Sequence, residues 1–150
     1  ESSETVMYNH KWRALTMSKI NDYAKFVDTC TSAESRNTTK FQQRVQQLSV
    51  IHPDIEWSRL MTASIGMLAE SGEFTEIMKK IFFQGKEMNE DNRFHMKREL
   101  GDVLWYWVQG CLALGFTPEE VMDENINKLE QRYPDGFEVS RSERRAEGDI

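Results

Sequence analysis

Apolar residues recur along most of this chain at three- and four-residue intervals, the signature of amphipathic helix, and strand-like alternation is nearly absent. From about Met17, the positions Ile20, Tyr23, Phe26 and Val27 predict a first helix. The stretch TCTSAESRNTT (29–39), rich in Ser, Thr and Asn, predicts a loop. Phe41, Val45 and Leu48 outline a further short helical face. A longer helix is predicted after His52-Pro53-Asp54, because proline cannot continue a preceding helix and Asp54 can cap a new one. Its apolar positions Ile55, Leu60, Ile65, Leu68, Ile77 and Ile81 run to Phe83, with Gly85 as the stop. Another begins near NEDN (89–92) and passes Leu104 and Trp107 to Leu114, before Gly115. Thr117-Pro118-Glu119-Glu120 opens the last one. It has a Thr cap, proline at the first helical position and glutamate at the third, which together make a capping box. That helix ends near YPDG (133–136), and the charged EVSRSERRAEGDI (138–150) is expected to be extended. The pattern predicts an all-α bundle of four or five helices in one domain over 1–150, with about 1–16 and 138–150 peripheral.

Composition agrees with that picture. Only eight glycines and three prolines interrupt a chain rich in Met, Glu, Lys and Gln, which favours helix. A formal net charge of −6 argues against a general nucleic-acid binder, because phosphate backbones are held by clustered Lys and Arg. Cys30 and Cys111 have no CxxC or framework spacing, so reduced thiols in a cytoplasmic setting are expected rather than a disulfide scaffold. No signal peptide is visible, and the longest apolar run, VLWYWV, is far shorter than the roughly 20 residues of a membrane span.

Candidate chemistry enters with two carboxylate pairs. Glu70 and Glu73 lie in LAESGEF; Glu99 and Asp102 lie in RELGDVLWYWV, where they run into the apolar stretch. Helical residues three apart differ by about 60° in direction, so each pair shares a face. Glu73 precedes Gly85 by twelve residues and Glu99 follows it by fourteen, so an antiparallel hairpin about that glycine brings the pairs level. Four converging carboxylates repel one another unless a cation or protons neutralise them. Without a nearby His or Cys, such a donor set suits Mg²⁺, or Mn²⁺ in its place. Gly72 and Gly101, inside the pairs, are costly in a helix and suggest close helix approach or a ligand. On the last helix, Asn125, Lys128 and Arg132 share one face, and Lys80 follows Glu73 along its stripe. Cations beside a metal are what a triphosphate requires. Taken singly, the acids read as solvated surface charges and the cations as helix-end residues complementing the dipole. The phosphate loop of Walker type is absent, since Gly85-Lys86 lacks the earlier glycine and the following Ser or Thr. So is the Glu-x-x-His of di-iron bundles. His95 reads as solvent-facing, and Cys111 and Trp107 as core residues.

The set as a whole resembles the MazG-like all-α nucleoside triphosphate pyrophosphohydrolases, whose mark is ExxE, a helix-turn interval, then ExxD. Here these are Glu70-Ser71-Gly72-Glu73 and Glu99-Leu100-Gly101-Asp102. EIMKKIFFQGK, ELGDVLWY and NINKLEQRYPDGF resemble a compact phage or bacterial branch, with the similarity covering about Ile65 to Arg145. The resemblance implies Mg²⁺-dependent hydrolysis of a nucleoside triphosphate to the monophosphate and pyrophosphate. Water activated by the metal would attack the α-phosphorus. It also implies that Glu70, Glu73, Glu99 and Asp102 hold metal, with Glu70 or Glu73 assisting the water. Lys128 and Arg132 would meet the phosphates, with Asn125 and Lys80 beside them. Many members carry a further glutamate where this chain has Ala69, which leaves the number of metals open. A homodimer or homotetramer is implied too, as is action in the cytoplasm of a cell or phage host. The competing readings are a non-catalytic metal- or nucleotide-binding bundle and pyrophosphate removal from a phosphoribosyl nucleotide. The long N-terminal stretch and RYPDGF fit the second less well.

Overall fold

The computed structural model describes residues 19–143, which are helical apart from short connections and contain no strand. The helices are α1 (19–30), α2 (Ala33–Arg36), α3 (Thr38–Ile51), α4 (Trp57–Gln84), α5 (Glu90–Ala113), α6 (Pro118–Arg132) and α7 (Val139–Glu143). Most of the peripheral segments expected at 1–16 and 138–150 lies outside the described residues. The chain divides into two compact units, Glu1–Gln47 and Leu48–Ile150.

In the first unit, α1 forms where the apolar spacing predicts it, with Ile20, Tyr23 and Phe26 exposed. The stretch 29–39, expected as a loop, contains the single turn α2 and the start of α3. Its short polar side chains act as caps instead. The Ser32 hydroxyl accepts from the Ser35 N–H at 3.3 Å, and Asn37 Oδ1 accepts from the Lys40 N–H at 3.0 Å.

The second unit is built on the antiparallel hairpin of α4 and α5. Asp54 does not cap α4; the N-cap is Glu56, whose side chain makes no capping bond. The Glu56 N–H donates instead to the Ala113 carbonyl at 2.9 Å, tying the start of α4 to the end of α5. Arg59 Nε donates to Gln109 Oε1 between the same two helices. At the other end α4 stops at Gly85, whose φ of 68° is the left-handed conformation glycine adopts without penalty. Asn89 caps α5 by accepting from the Asn92 N–H at 3.0 Å, and the buried Asn92 amide donates to the Glu87 carbonyl at 2.6 Å. The connection 85–89 is thus fixed at both ends.

Small residues line the seam between the two helices. Ala63 and Ala113 are fully buried, and Cys111 is buried as expected. A Cβ on Gly110 would sit in ordinary contact, 3.7 Å from Ala63 Cβ and 4.0 Å from Met67 Cε. Gly72 and Gly101, in contrast, face open space, with nothing within 4 Å of a Cβ placed there. They do not mediate the α4–α5 approach; Gly66 and Gly110 do. Within Trp105-Tyr106-Trp107, Trp105 is exposed, Tyr106 is half-buried, and Trp107, expected in the core, is only half-buried as well.

The capping box of α6 forms as predicted. Thr117 Oγ1 accepts from the Glu120 N–H at 3.2 Å, and Glu120 Oε2 accepts from the Thr117 N–H at 2.7 Å. α6 packs against α5. Residues 139–143, expected to be extended, form the short helix α7, which begins beside an Arg141–Glu138 pair at 3.1 Å. No helix among the described residues is long and apolar enough to cross a membrane.

Candidate metal centre

The hairpin brings the two carboxylate pairs together. One carboxylate oxygen from each of Glu70, Glu73 and Glu99 lies within 4.8 Å of the other two. Glu70 and Glu99 are half-buried, while Glu73 and Asp102 are exposed. Partial burial raises the proton affinity of Glu70 above the ordinary carboxylate value. The negative charges of Glu73, Asp102 and Glu99, and a hydrogen bond with Glu99, push it the same way. Asp102 therefore belongs to the same electrostatic cluster although it stands outside the tight trio. No second trio of His, Cys, Asp or Glu is so arranged among the described residues.

The donor set fits a hard divalent cation. It offers oxygen only, and burial together with its neighbouring like charges raises the proton affinity of Glu70. A dication entering the cluster would cancel the repulsion among these carboxylates.

The expected phosphate-binding residues are arranged differently. Lys80 pairs with Glu76 on its own helix at 3.1 Å, and this cation, with Lys79 and Lys86, holds the Glu76 carboxyl below its usual value. Asn125 and Lys128 are exposed on α6. Arg132 is half-buried at the end of α6, its guanidinium carbon 6.0 Å from the Tyr133 ring centre. The charges that shift Glu70 are all acidic. His95 is exposed, as expected, and Ala69 is exposed on α4.

Two residues beside the cluster escaped the sequence reading. Gly66 is buried, and a Cβ there would fall within 2.5 Å of Tyr106 Cγ and closer still to Cδ1 and Cε1. Gly66 stands four residues before Glu70, and Tyr106 four after Asp102. A glycine one turn from an acidic pair, on the same face, was the available signal.

Residues 61–137 match the MazG nucleotide pyrophosphohydrolase domain. The chain is also similar to the Gene 37 protein of Mycobacterium phage L5, with 34% identity over 79 residues, covering 51% of this chain and 68% of that protein. No solved structure gives a significant match. The domain match takes in both carboxylate pairs, the turn that levels them and the capped α6. This chain belongs to the MazG nucleotide pyrophosphohydrolase family.

Proposed function

We propose that this protein hydrolyses a nucleoside or deoxynucleoside triphosphate to the monophosphate and pyrophosphate, with Mg²⁺ held by Glu70, Glu73, Glu99 and Asp102. The observation that carries the reading is the meeting of three glutamate oxygens within 4.8 Å inside the matched domain. A bound magnesium ion would neutralise phosphate oxygens and lower the pKa of the attacking water. Mn²⁺ offers the same chemistry and is an expected substitute. Glu70 or Glu73 accepts the proton of the water as it attacks the α-phosphorus, and pyrophosphate leaves. Lys128 and Arg132 meet the phosphates, with Asn125 and Lys80 as secondary contacts. Lys80 must leave Glu76 to do so, which costs little for so exposed a pair.

The test is pyrophosphate release from a panel of ribo- and deoxyribonucleoside triphosphates with Mg²⁺, Mn²⁺ or EDTA. Equal amounts of monophosphate and pyrophosphate, lost with EDTA, are expected. Glu73→Gln and Asp102→Asn should nearly abolish turnover while helical circular dichroism is retained. Lys128→Ala should lower kcat/KM. Nucleotide binding without turnover under all conditions would point to a binding module and refute hydrolysis.

The active form is proposed to be a homodimer or homotetramer whose interface includes the side of α4 away from α5. Met61, Ile65, Leu68, Phe82 and Phe83 recur there at helical spacing around Gly72, and Leu68 is 77% exposed. A groove of about 590 Å³ lies on this side, lined by Leu68, Ser71, Gly72, Thr75, Glu76 and Lys79. Those five side chains present apolar area on the order of 700 Å². Each partner in a standard interface contributes roughly 800 Å². Light scattering should report a multiple of the chain mass, and Leu68→Glu should reduce it; a monomeric parent refutes the assignment. The unpaired thiols Cys30 and Cys111 support action in a reducing cytoplasm.

A further inference from the structure

We infer that the contact between Gly66 and Tyr106 is a spacer that sets the α4–α5 distance at the carboxylate cluster, and with it the size of cation the cluster accepts. This rests on reading the cluster as a metal site. It assigns Tyr106 a positioning role that the motif residues do not carry.

The Tyr106 ring occupies the space in which any other residue at position 66 would place its Cβ. Trp105 meets the ring edge-on, with centroids 4.8 Å apart and planes at 85°. The backbone of α4 rests directly against the ring, so a Cβ at position 66 has to displace either the ring or the helix. The contact is one turn from the acids along both helices, since Gly66 precedes Glu70 by four residues and Tyr106 follows Asp102 by four. One layer further on, Gly110 meets Ala63 and Met67 at ordinary distances, so a Cβ there asks nothing of the helices. The seam thus has one position where separation is fixed and another where it has slack, and the fixed one lies beside the cluster.

The consequence follows from cation chemistry. Magnesium requires oxygens at about 2.0–2.1 Å in near-ideal octahedral geometry, whereas calcium accepts about 2.3–2.6 Å and irregular arrangements. Glu70 and Glu73 come from one helix and Glu99 from the other, so the separation of the helices decides how tightly the three can converge. A spacer that holds the helices close favours the smaller ion. Moving them apart penalises magnesium first.

The experiment is calorimetric titration of the intact, nucleotide-free protein with Mg²⁺ and with Ca²⁺, alongside thermal melting. Gly66→Ala is expected to weaken Mg²⁺ binding by about tenfold or more, in the range found when groups supporting metal ligands are altered. Ca²⁺ binding should change much less, so the Mg²⁺/Ca²⁺ affinity ratio falls. Tyr106→Phe keeps the ring and should keep the ratio. Gly110→Ala, in the same seam, should keep it too. Gly66→Ala combined with Tyr106→Leu makes room for the new Cβ and should recover the ratio. That double variant and Tyr106→Phe remain informative if Gly66→Ala alone does not fold. An unchanged ratio in a folded Gly66→Ala, a ratio lost in Tyr106→Phe, or no recovery in the double variant overturns the spacer and leaves the metal reading intact. A parent protein that binds neither ion overturns both.

Discussion

Gly101 stands inside the second carboxylate motif, between Glu99 and Asp102, and replacing it with alanine should stabilise the protein without weakening the metal site. The residue lies in the interior of α5 at an ordinary negative φ, since only Gly85, Gly115 and Gly136 have positive values among the described glycines. A Cβ placed on it meets nothing within 4 Å. No steric cost therefore offsets the gain in helix propensity, which is about 0.8–1.0 kcal/mol for Gly to Ala in a helix interior. Much of that gain comes from the unfolded chain, which loses conformations when glycine is replaced. With a urea m-value near 2 kcal/mol/M, the unfolding midpoint should rise by about 0.4–0.5 M. For a chain of this length a change of this size raises Tm by about 2–4 °C. The assay is urea unfolding followed by far-ultraviolet circular dichroism, paired with Mg²⁺ titration of parent and variant. A lower midpoint would show that this side of α5 is covered in the folded protein. A loss of Mg²⁺ affinity beyond about threefold, some 0.65 kcal/mol, would show that Gly101 faces the ligand. Either result refutes the placement argued for it.

Metal-free Asp102→Asn should melt above the metal-free parent, because it removes one of the charges that raise the proton affinity of Glu70, and Mg²⁺ should stabilise it less. Thermal melting with EDTA and with Mg²⁺ checks both halves. Glu120 is held below its ordinary value by the hydrogen bonds of the capping box. Its stabilising contribution is therefore fully present above the unfolded carboxylate value and is lost as pH falls through the depressed folded one. Thr117→Ala should cost about 1 kcal/mol near neutral pH. It should also flatten this acid loss, as urea midpoints measured down to about pH 3 would reveal. Cys30 is exposed, while Cys111 is buried and its thiol is pushed up by burial. A disulfide reagent should therefore label one thiol quickly and the other only as the protein unfolds. Two equally fast thiols would contradict the packing of Cys111.

The sequence revealed the helices because their stop and start signals are local. Gly85 and the box at Thr117 work through hydrogen bonds within a few residues, so the chain carries the whole instruction. Asp54 misled because Glu56 takes its first partner from Ala113, more than fifty residues away. The stretch 29–39 misled for a different reason: Ser and Asn serve loops and helix caps equally, and only the folded chain shows which. The carboxylate pairs were legible because two periodicities and one turn sufficed to place them. The glycines were not. Gly66, Gly72, Gly101 and Gly110 look alike as helix interruptions, and their roles differ only by which side of the helix meets Tyr106, Ala63 or open space. Lys80 illustrates the same limit for charges. Its stripe leads to Glu73, but Glu76, one turn away, takes it first.

That geometry also explains why the interval between the motifs matters more than its composition. From Glu73 to Gln84 the chain climbs about 16–17 Å, and from Glu90 to Glu99 it descends about 13–14 Å. The five residues 85–89 absorb the difference. A single alanine inserted after Ile77 would rotate Glu70 and Glu73 by about 100° relative to the turn, away from Glu99. Four inserted alanines would bring the phase back to within about 40° but displace the pair by about 6 Å along the axis. Both insertions should therefore abolish Mg²⁺ stabilisation in a melting experiment. Two residues inserted between Gly85 and Lys86 lengthen only the connection, whose entropic cost rises slowly, by about 0.6 kcal/mol per doubling of length. The helices can still register on Gly66, Tyr106 and Gly110, so this variant should retain most of the Mg²⁺ shift. If the single helix insertion keeps the shift, the seam alone organises the cluster and the spacing of the motifs needs a different physical cause. If the loop insertion loses it, the turn organises the cluster rather than the seam.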